Sequence, residues 1–139
     1  MKSDRIKIYE KNIAADDFID LRKEVGWNCV EKKYIKHALK NNLFSVHARI
    51  GNRIVGYGRV IGDNGFTFYI QDMMIRPDYQ KKGIGRKLMI RIMDYLKKNC
   101  PKGTMICLMA AKGKEGFYKK FGFNERPNED YGPGMIKLL

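Results

Sequence analysis

Apolar positions along the chain recur with two periods, 2 and about 3.6 residues, and the switches between them mark out its elements. Arg5-Ile6-Lys7-Ile8-Tyr9 alternates and predicts a first strand. From Asp16 to Val25, Phe18, Leu21 and Val25 recur at helical spacing, with Gly26 as a stop. A second short helix is predicted from Cys29 to Leu39, with Val30, Tyr34, Ala38 and Leu39 as its apolar stripe. Phe44 to Ile50 and Ile54 to Ile61 read as strands around the hairpin signal Gly51-Asn52. A second turn, Gly62-Asp63-Asn64-Gly65, leads into a long strand from Phe66 to Ile75, which completes an antiparallel meander.

Helical spacing then resumes at Ile84, Leu88, Ile92, Tyr95 and Leu96, and the helix is expected to end near Asn99, before Pro101. Met105 to Ala110 predicts a short apolar strand, and Glu115 to Phe121 a short helix stopped by Gly122. Phe123 is expected to open the last strand pair, with the apolar end Met135-Ile136-Lys137-Leu138-Leu139 closing it. The order β-α-α-β-β-β-α-β-α-β predicts an α/β fold with a mixed, mostly antiparallel central sheet flanked by helices. No repeat, linker or low-complexity tract interrupts it, so residues 1–139 read as one domain.

Composition narrows the class. Hydrophobic content of 44% is that of a globular chain. No apolar run approaches the roughly 20 residues that span a bilayer, and Met1-Lys2-Ser3-Asp4-Arg5 lacks the apolar core of a signal peptide. Cys29, Cys100 and Cys107 have neither metal-ligand spacing nor an even count, which suits a reducing compartment, and the expectation is a cytoplasmic protein without metal. The net charge of +13 is unevenly placed: residues 76–102 hold nine Lys/Arg against two acids, whereas the first 43 residues hold ten against seven. A basic chain of this kind raises nucleic acid as a rival partner. No helix-turn-helix, zinc finger or RNP-type aromatic motif accompanies the charge, and a small polyphosphate ligand explains it more economically.

The charge centres on Ile75-Arg76-Pro77-Asp78-Tyr79-Gln80-Lys81-Lys82-Gly83-Ile84-Gly85-Arg86, where a strand stops at proline and a helix opens out of a basic, glycine-punctuated turn. Such a junction aims backbone N–H groups and the positive end of a helix dipole at one point, where phosphate can bind. There is no Walker A sequence, and Leu88 stands where a dinucleotide fingerprint would need its third glycine.

The Gln80-x-x-Gly83-x-Gly85 spacing resembles the acyl-CoA pyrophosphate loop of the GNAT N-acetyltransferase superfamily, written Q/R-x-x-G-x-G/A. Phe117-Tyr118-Lys119-Lys120-Phe121-Gly122-Phe123 resembles its F-Y-x-x-x-G-F segment. The two motifs and the intervening strand cover residues 66 to 123, and the first 65 residues match in element order alone. Phe117 and Phe121 share one helical face and read as core, while Tyr118 is displaced about 100° from Phe117.

The resemblance implies acetyl-CoA as acyl donor. It implies backbone pairing of Met73, Met74 and Ile75 with the pantetheine amides, and a pyrophosphate held by the N–H groups of Lys81, Lys82, Gly83, Ile84, Gly85 and Arg86, with Gln80 opening the motif. It also implies Tyr118 as the acid that protonates the leaving thiolate. An asparagine common seven positions before that tyrosine is Ala111 here, which removes any asparagine contact to the pantetheine arm.

Direct transfer needs no covalent enzyme intermediate, in keeping with a chain that offers no convincing nucleophile: Cys107 lies in an apolar strand and reads as core. Asp72, the one carboxylate between Asp63 and Asp78, is the candidate base, with a structural hydrogen bond as its other reading. His37 and His47 are expected at the surface. Trp27 and the loop carrying Glu129, Asp130 and Tyr131 are the expected acceptor side. The activity expected is acetyl transfer from acetyl-CoA to a primary amine of a small molecule. The alternatives are a protein lysine or N-terminal amine as acceptor, and a non-catalytic acyl-CoA-binding protein. Superfamily members often dimerise, so a homodimer is expected.

Overall fold

The computed structural model describes residues 5–139; Met1 to Asp4, where the sequence lacks a signal-peptide core, lie outside the described residues. Five strands lie side by side in sequence order and form a mixed sheet: β1 (Ile6–Tyr9), β2 (Phe44–Ile50), β3 (Arg53–Gly62), β4 (Thr67–Ile75) and β5 (Met105–Leu108). The first four pair antiparallel, so the predicted meander is present. Its turns follow from local chemistry. Gly51 takes φ +56° between β2 and β3, and the Asp63 carboxylate accepts the backbone N–H groups of Gly65, Phe66 and Thr67 at 2.8 to 3.0 Å after β3. Those three donors hold the Asp63 carboxyl below its ordinary pKa.

The sheet is covered on both faces. On one side lie α1 (Ala15–Glu24) and α2 (Lys32–Lys40), whose Phe18, Leu21, Ile35 and Leu39 pack with Ile54, Tyr57 and Met74. On the other lies α3 (Ile84–Asn99), which buries Ile84, Leu88, Met89, Ile92 and Leu96 at helical spacing. Helix α3 settles close because Gly56 and Gly58 of β3 leave room for it. A Cβ on Gly56 would stand 2.8 Å from Ile75 Cδ1 and 3.3 Å from both Ile84 Cγ2 and Leu88 Cδ1, and one on Gly58 would overlap Met73 Sδ.

Strand β4 changes phase partway along. Tyr57 is opposite Met74 and Arg59 is opposite Gln71, so a single residue of β3, Gly58, faces two of β4, Asp72 and Met73. This is a β-bulge, and Asp72 sits in it at φ +56°, a left-handed conformation that aspartate tolerates. Before the bulge Ile70 shares a face with Val60, on the α3 side; after it Met73 and Ile75 take that side and Met74 turns to α1 and α2.

Three expectations are corrected. The second helix starts at Lys32, and Val30 and Tyr34 are exposed, its buried residues being Ile35 and Leu39. His47 is only 4% exposed, because β2 is buried on both faces and Tyr9 stacks on its ring at 5.3 Å. No strand forms after β5 among the described residues: Phe123 opens none, and Met135, Ile136, Leu138 and Leu139 stay exposed without backbone partners to turn their apolar character into a strand.

The chain divides into two compact units after Cys107. The second, Leu108 to Leu139, contains α4 (Glu115–Lys119), shorter than expected. Phe117 packs edge-on against Tyr118 at 5.0 Å and Phe121 at 5.4 Å, and Gly122 turns the chain at φ +90°. Its last loop is held by Asn128 Oδ1, which accepts from the N–H groups of Asp130 and Tyr131, and by Arg126, which donates to the Gly132 carbonyl at 2.6 Å.

Two measurements check this packing. Replacing Gly58 by Val should lower stability by about 1–3 kcal/mol in urea denaturation, because Met73 and Ile92 must move to admit the side chain. Burial pushes His47 below its ordinary pKa of 6.5, so the folded chain binds this proton less readily than the unfolded one. Its contribution to stability is therefore complete above pH 6.5 and is lost as pH falls below that value. His47→Gln should flatten that part of the pH–stability curve.

Candidate active site

The first unit carries two adjoining features at the end of β4. Pro77–Tyr79 makes one 3-10 turn, and Gly83 then caps α3 in a left-handed conformation at φ +81°. Lys81 is also left-handed, at φ +62°, which a non-glycine residue adopts at a cost of about 1–2 kcal/mol. Alternating left-handed residues turn successive N–H groups toward one concavity. The first bond within α3 runs from Lys87 N–H to the Gly83 carbonyl at 3.2 Å, so the N–H groups of Ile84, Gly85 and Arg86 precede the helical ladder. No side chain caps them among the described residues.

A Cβ on Gly83 would meet nothing within 4 Å, so the space above the turn is open to an anion. Lys81, Lys82 and Arg86 are exposed around it, while Ile84 anchors the turn in the core. Gln80 faces the other way: its Nε2 donates to the Ile75 carbonyl at 3.0 Å and straps the turn to β4. The donor set fits a pyrophosphate.

Beside it, β4 has nine residues and β5 has four, so much of the outer edge of β4 lies beyond the reach of β5. Such an edge offers backbone donors and acceptors to an extended amide-bearing chain. Met73 and Ile75 send their side chains to the α3 side and Met74 sends its own into the opposite core.

The bulge aims Asp72 at two guanidinium groups. Arg22 Nη1 donates to Oδ1 at 2.7 Å and Arg59 Nε to Oδ2 at 2.8 Å, with the Asp72 side chain 2% exposed. Arg59 donates further to Asn42 Oδ1 at 3.0 Å, and Asn42 donates to the Tyr57 hydroxyl at 2.9 Å, which donates in turn to Asn12 Oδ1. At the other end Arg22 donates to the Asn28 carbonyl and lies 5.5 Å over the Trp27 ring. Both Asp72 oxygens are thus committed to arginines, and the network ties α1, β3 and β4 together.

Arg22, Arg59 and Asn42 were not singled out from the sequence. The signal available was Arg59 alone in the apolar run of β3, matching Asp72 alone in β4. His37 is exposed on α2.

In the second unit, Tyr118 is half-buried among Phe117 and Phe123, and burial pushes its phenol up to about 12. Such a hydroxyl keeps its proton throughout the neutral range. Glu129 and Asp130 are exposed on the loop braced by Asn128.

The phosphate-fitting helix start follows a bulged strand in a mixed five-stranded sheet flanked by helices, which is the architecture of an acetyltransferase fold. The chain matches the profile of the acetyltransferase (GNAT) domain over residues 14–136 and belongs to that family. It is 32% identical over 122 residues to the uncharacterized N-acetyltransferase ycf52 of Pyropia yezoensis, covering 85% of this chain and 69% of that one. It is 30% identical over 115 residues to histone acetyltransferase TAP1 of Glycine max, covering 75% of this chain and 49% of that one. Among solved structures, a probable acetyltransferase of meticillin-resistant Staphylococcus aureus superposes with a TM-score of 0.88 at 30% identity, over 96% of this chain and 100% of that one. The chain is an acetyltransferase, and its family generally uses acetyl-CoA.

Gly83→Val tests the cradle: the left-handed φ strains any β-branched residue, and the N–H groups turn away. Acetyl-CoA affinity measured by calorimetry should fall at least about tenfold, with stability lowered by about 1–2 kcal/mol of backbone strain and by no steric clash, since a Cβ there meets nothing within 4 Å.

Proposed function

We propose that this chain transfers the acetyl group of acetyl-CoA directly to the primary amine of a small molecule. The observation that carries this reading is the turn of N–H groups at the start of α3, which follows directly on the end of β4. When bound, acetyl-CoA supplies an acetyl thioester whose C–S bond breaks as the C–N bond to the amine forms. The N–H groups from Lys81 to Arg86 would hold its pyrophosphate, and the β4 backbone at Met73 to Ile75 its pantetheine amides. Asp72 acts as a positioning residue: it fixes the bulge through Arg22 and Arg59 and so sets how the edge beyond it is presented.

Tyr118 would give its hydroxyl proton to the departing sulfur, and the proton that the amine loses as the C–N bond forms would pass to solvent, from which the phenol is restored. A phenol near 12 is a weak donor to a thiolate whose pKa in water is about 8.5. The two values approach one another when the thiolate is also removed from water, since desolvation raises both.

The net charge of +13 supports a small acceptor, above all one with an acidic group of its own, over a lysine-rich tail that the same field would repel. A protein amine is the second reading, favoured by the similarity to a relative named a histone acetyltransferase. Thiol release from acetyl-CoA, followed across amino acids, amino sugars, polyamines and lysine peptides, separates the two. Acetyl-CoA binding without release to any amine would make the chain an acyl-CoA-binding protein instead. Tyr118→Phe should lower turnover by about 100-fold or more while acetyl-CoA affinity is retained. Unchanged turnover would remove Tyr118 from the acid role.

A further inference from the structure

At the sheet edge opposite β5, the side of β1 and β2 that faces α1 forms a groove of about 680 Å³. Its walls are cationic: Arg5, Lys7, Lys11 and Arg49 line it, with Tyr9 and His47 between them. Lys7 and Arg49 are directly opposite one another across the two strands, a pairing of like charges that destabilises a sheet unless an anion lies between them. No ion pair joins any of the four to a carboxylate among the described residues.

Charged residues on an edge strand have a simple role in blocking edge-to-edge association. That role explains Arg5 and Lys7, but it accounts neither for the concavity nor for His47. His47 Nδ1 stands 2.9 Å from the Lys11 carbonyl, which can only accept, so Nδ1 carries the proton and Nε2 presents a lone pair. That Nε2 is buried and has no hydrogen-bond partner among the described residues. A buried polar atom left without a partner is destabilising, and a ligand donor or a water it holds would relieve that. Burial, with the cations Arg49 and Lys11, disfavours the charged ring and prevails over the Lys11 carbonyl and the Asp17 carboxylate, which favour it.

We propose that this groove binds a phosphorylated small molecule, its phosphate between Lys7 and Arg49 and a hydroxyl of the ligand donating toward His47 Nε2. The volume is that of a small-metabolite pocket. The site is separate from the turn at the start of α3 and does not depend on the acetyl-transfer reading.

The chain has two histidines, and exposed His37 serves as an internal control. Ring-nitrogen NMR of histidine-labelled protein is recorded while inorganic phosphate or glucose 6-phosphate is added at constant ionic strength. The His47 signals should shift saturably and those of His37 should not. In Lys7→Ala/Arg49→Ala the apparent Kd should rise at least about tenfold, whereas Gly83→Val, which disables the other phosphate-fitting turn, should leave the His47 response intact. Tighter response to glucose 6-phosphate assigns the site to an organic phosphate, and an equal response assigns it to phosphate itself. A His47 signal that stays fixed, that tracks His37, or that responds equally in the double variant overturns the proposal. A folded double variant is recognised by an unchanged His37 signal and far-ultraviolet circular dichroism.

Discussion

The carboxylate of Asp72, held between Arg22 and Arg59, is the interaction on which the rest of the first unit depends. An isolated carboxylate at 2% exposure would cost several kcal/mol, and a single arginine would leave half its acceptor capacity unmet. Two arginines meet it, and each has a further oxygen to donate to, at Asn28 and at Asn42. Their side chains remain 21% and 13% exposed, so water shares the surplus positive charge. What the arrangement secures is a backbone state. With Asp72 fixed in its left-handed conformation, β4 reverses phase, Met74 joins the α1 and α2 core, and Met73 and Ile75 go to α3. A regular strand here would send one of these sets to the wrong layer.

Most of the element order was legible because it rests on local periodicity. The stripe Ile84, Leu88, Ile92 and Leu96 predicts α3 and its buried face, and Cys100-Pro101 ends it. The phosphate-fitting turn was legible for the same reason, since glycine spacing is a local signal. What the sequence concealed is non-local. Alternation around His47 predicts an outward side chain only if one face of the strand is wet, and β2 has neither face wet there. The bulge leaves no mark in composition, because Asp72 looks like any lone acid until Arg22 and Arg59 are brought to it from 50 and 13 residues away. The failed last strand has the converse cause: apolar residues from Met135 onward signal a strand, but a strand needs a neighbour as well as a composition.

Two regions of this chain suit phosphate by different means. The turn before α3 relies on backbone N–H groups fixed by conformation, with lysines and Arg86 as exposed additions. Charge there is dispensable to geometry, and substitution of a single lysine leaves the donor array in place. The groove on β1 and β2 has the opposite construction. Its cations are side chains at sheet register, and its one fixed polar atom, His47 Nε2, lies beneath them. Salt should therefore weaken the groove more than the turn, since exposed charges are screened and oriented dipoles at short range much less so.

The contact over Gly56 fixes more than packing density. Ile75 ends β4, Ile84 opens α3, and both close on the same glycine of β3. The distance between the strand edge and the helix start is therefore set by one short dimensional chain through β3. It does not pass through residues 76–83, which join the two elements and accumulate every dihedral error along the way. Substitutions at exposed positions of that segment, such as Lys82, leave the spacing between the strand end and the helix start in place. The tolerance of the site resides in a missing methyl group on the neighbouring strand.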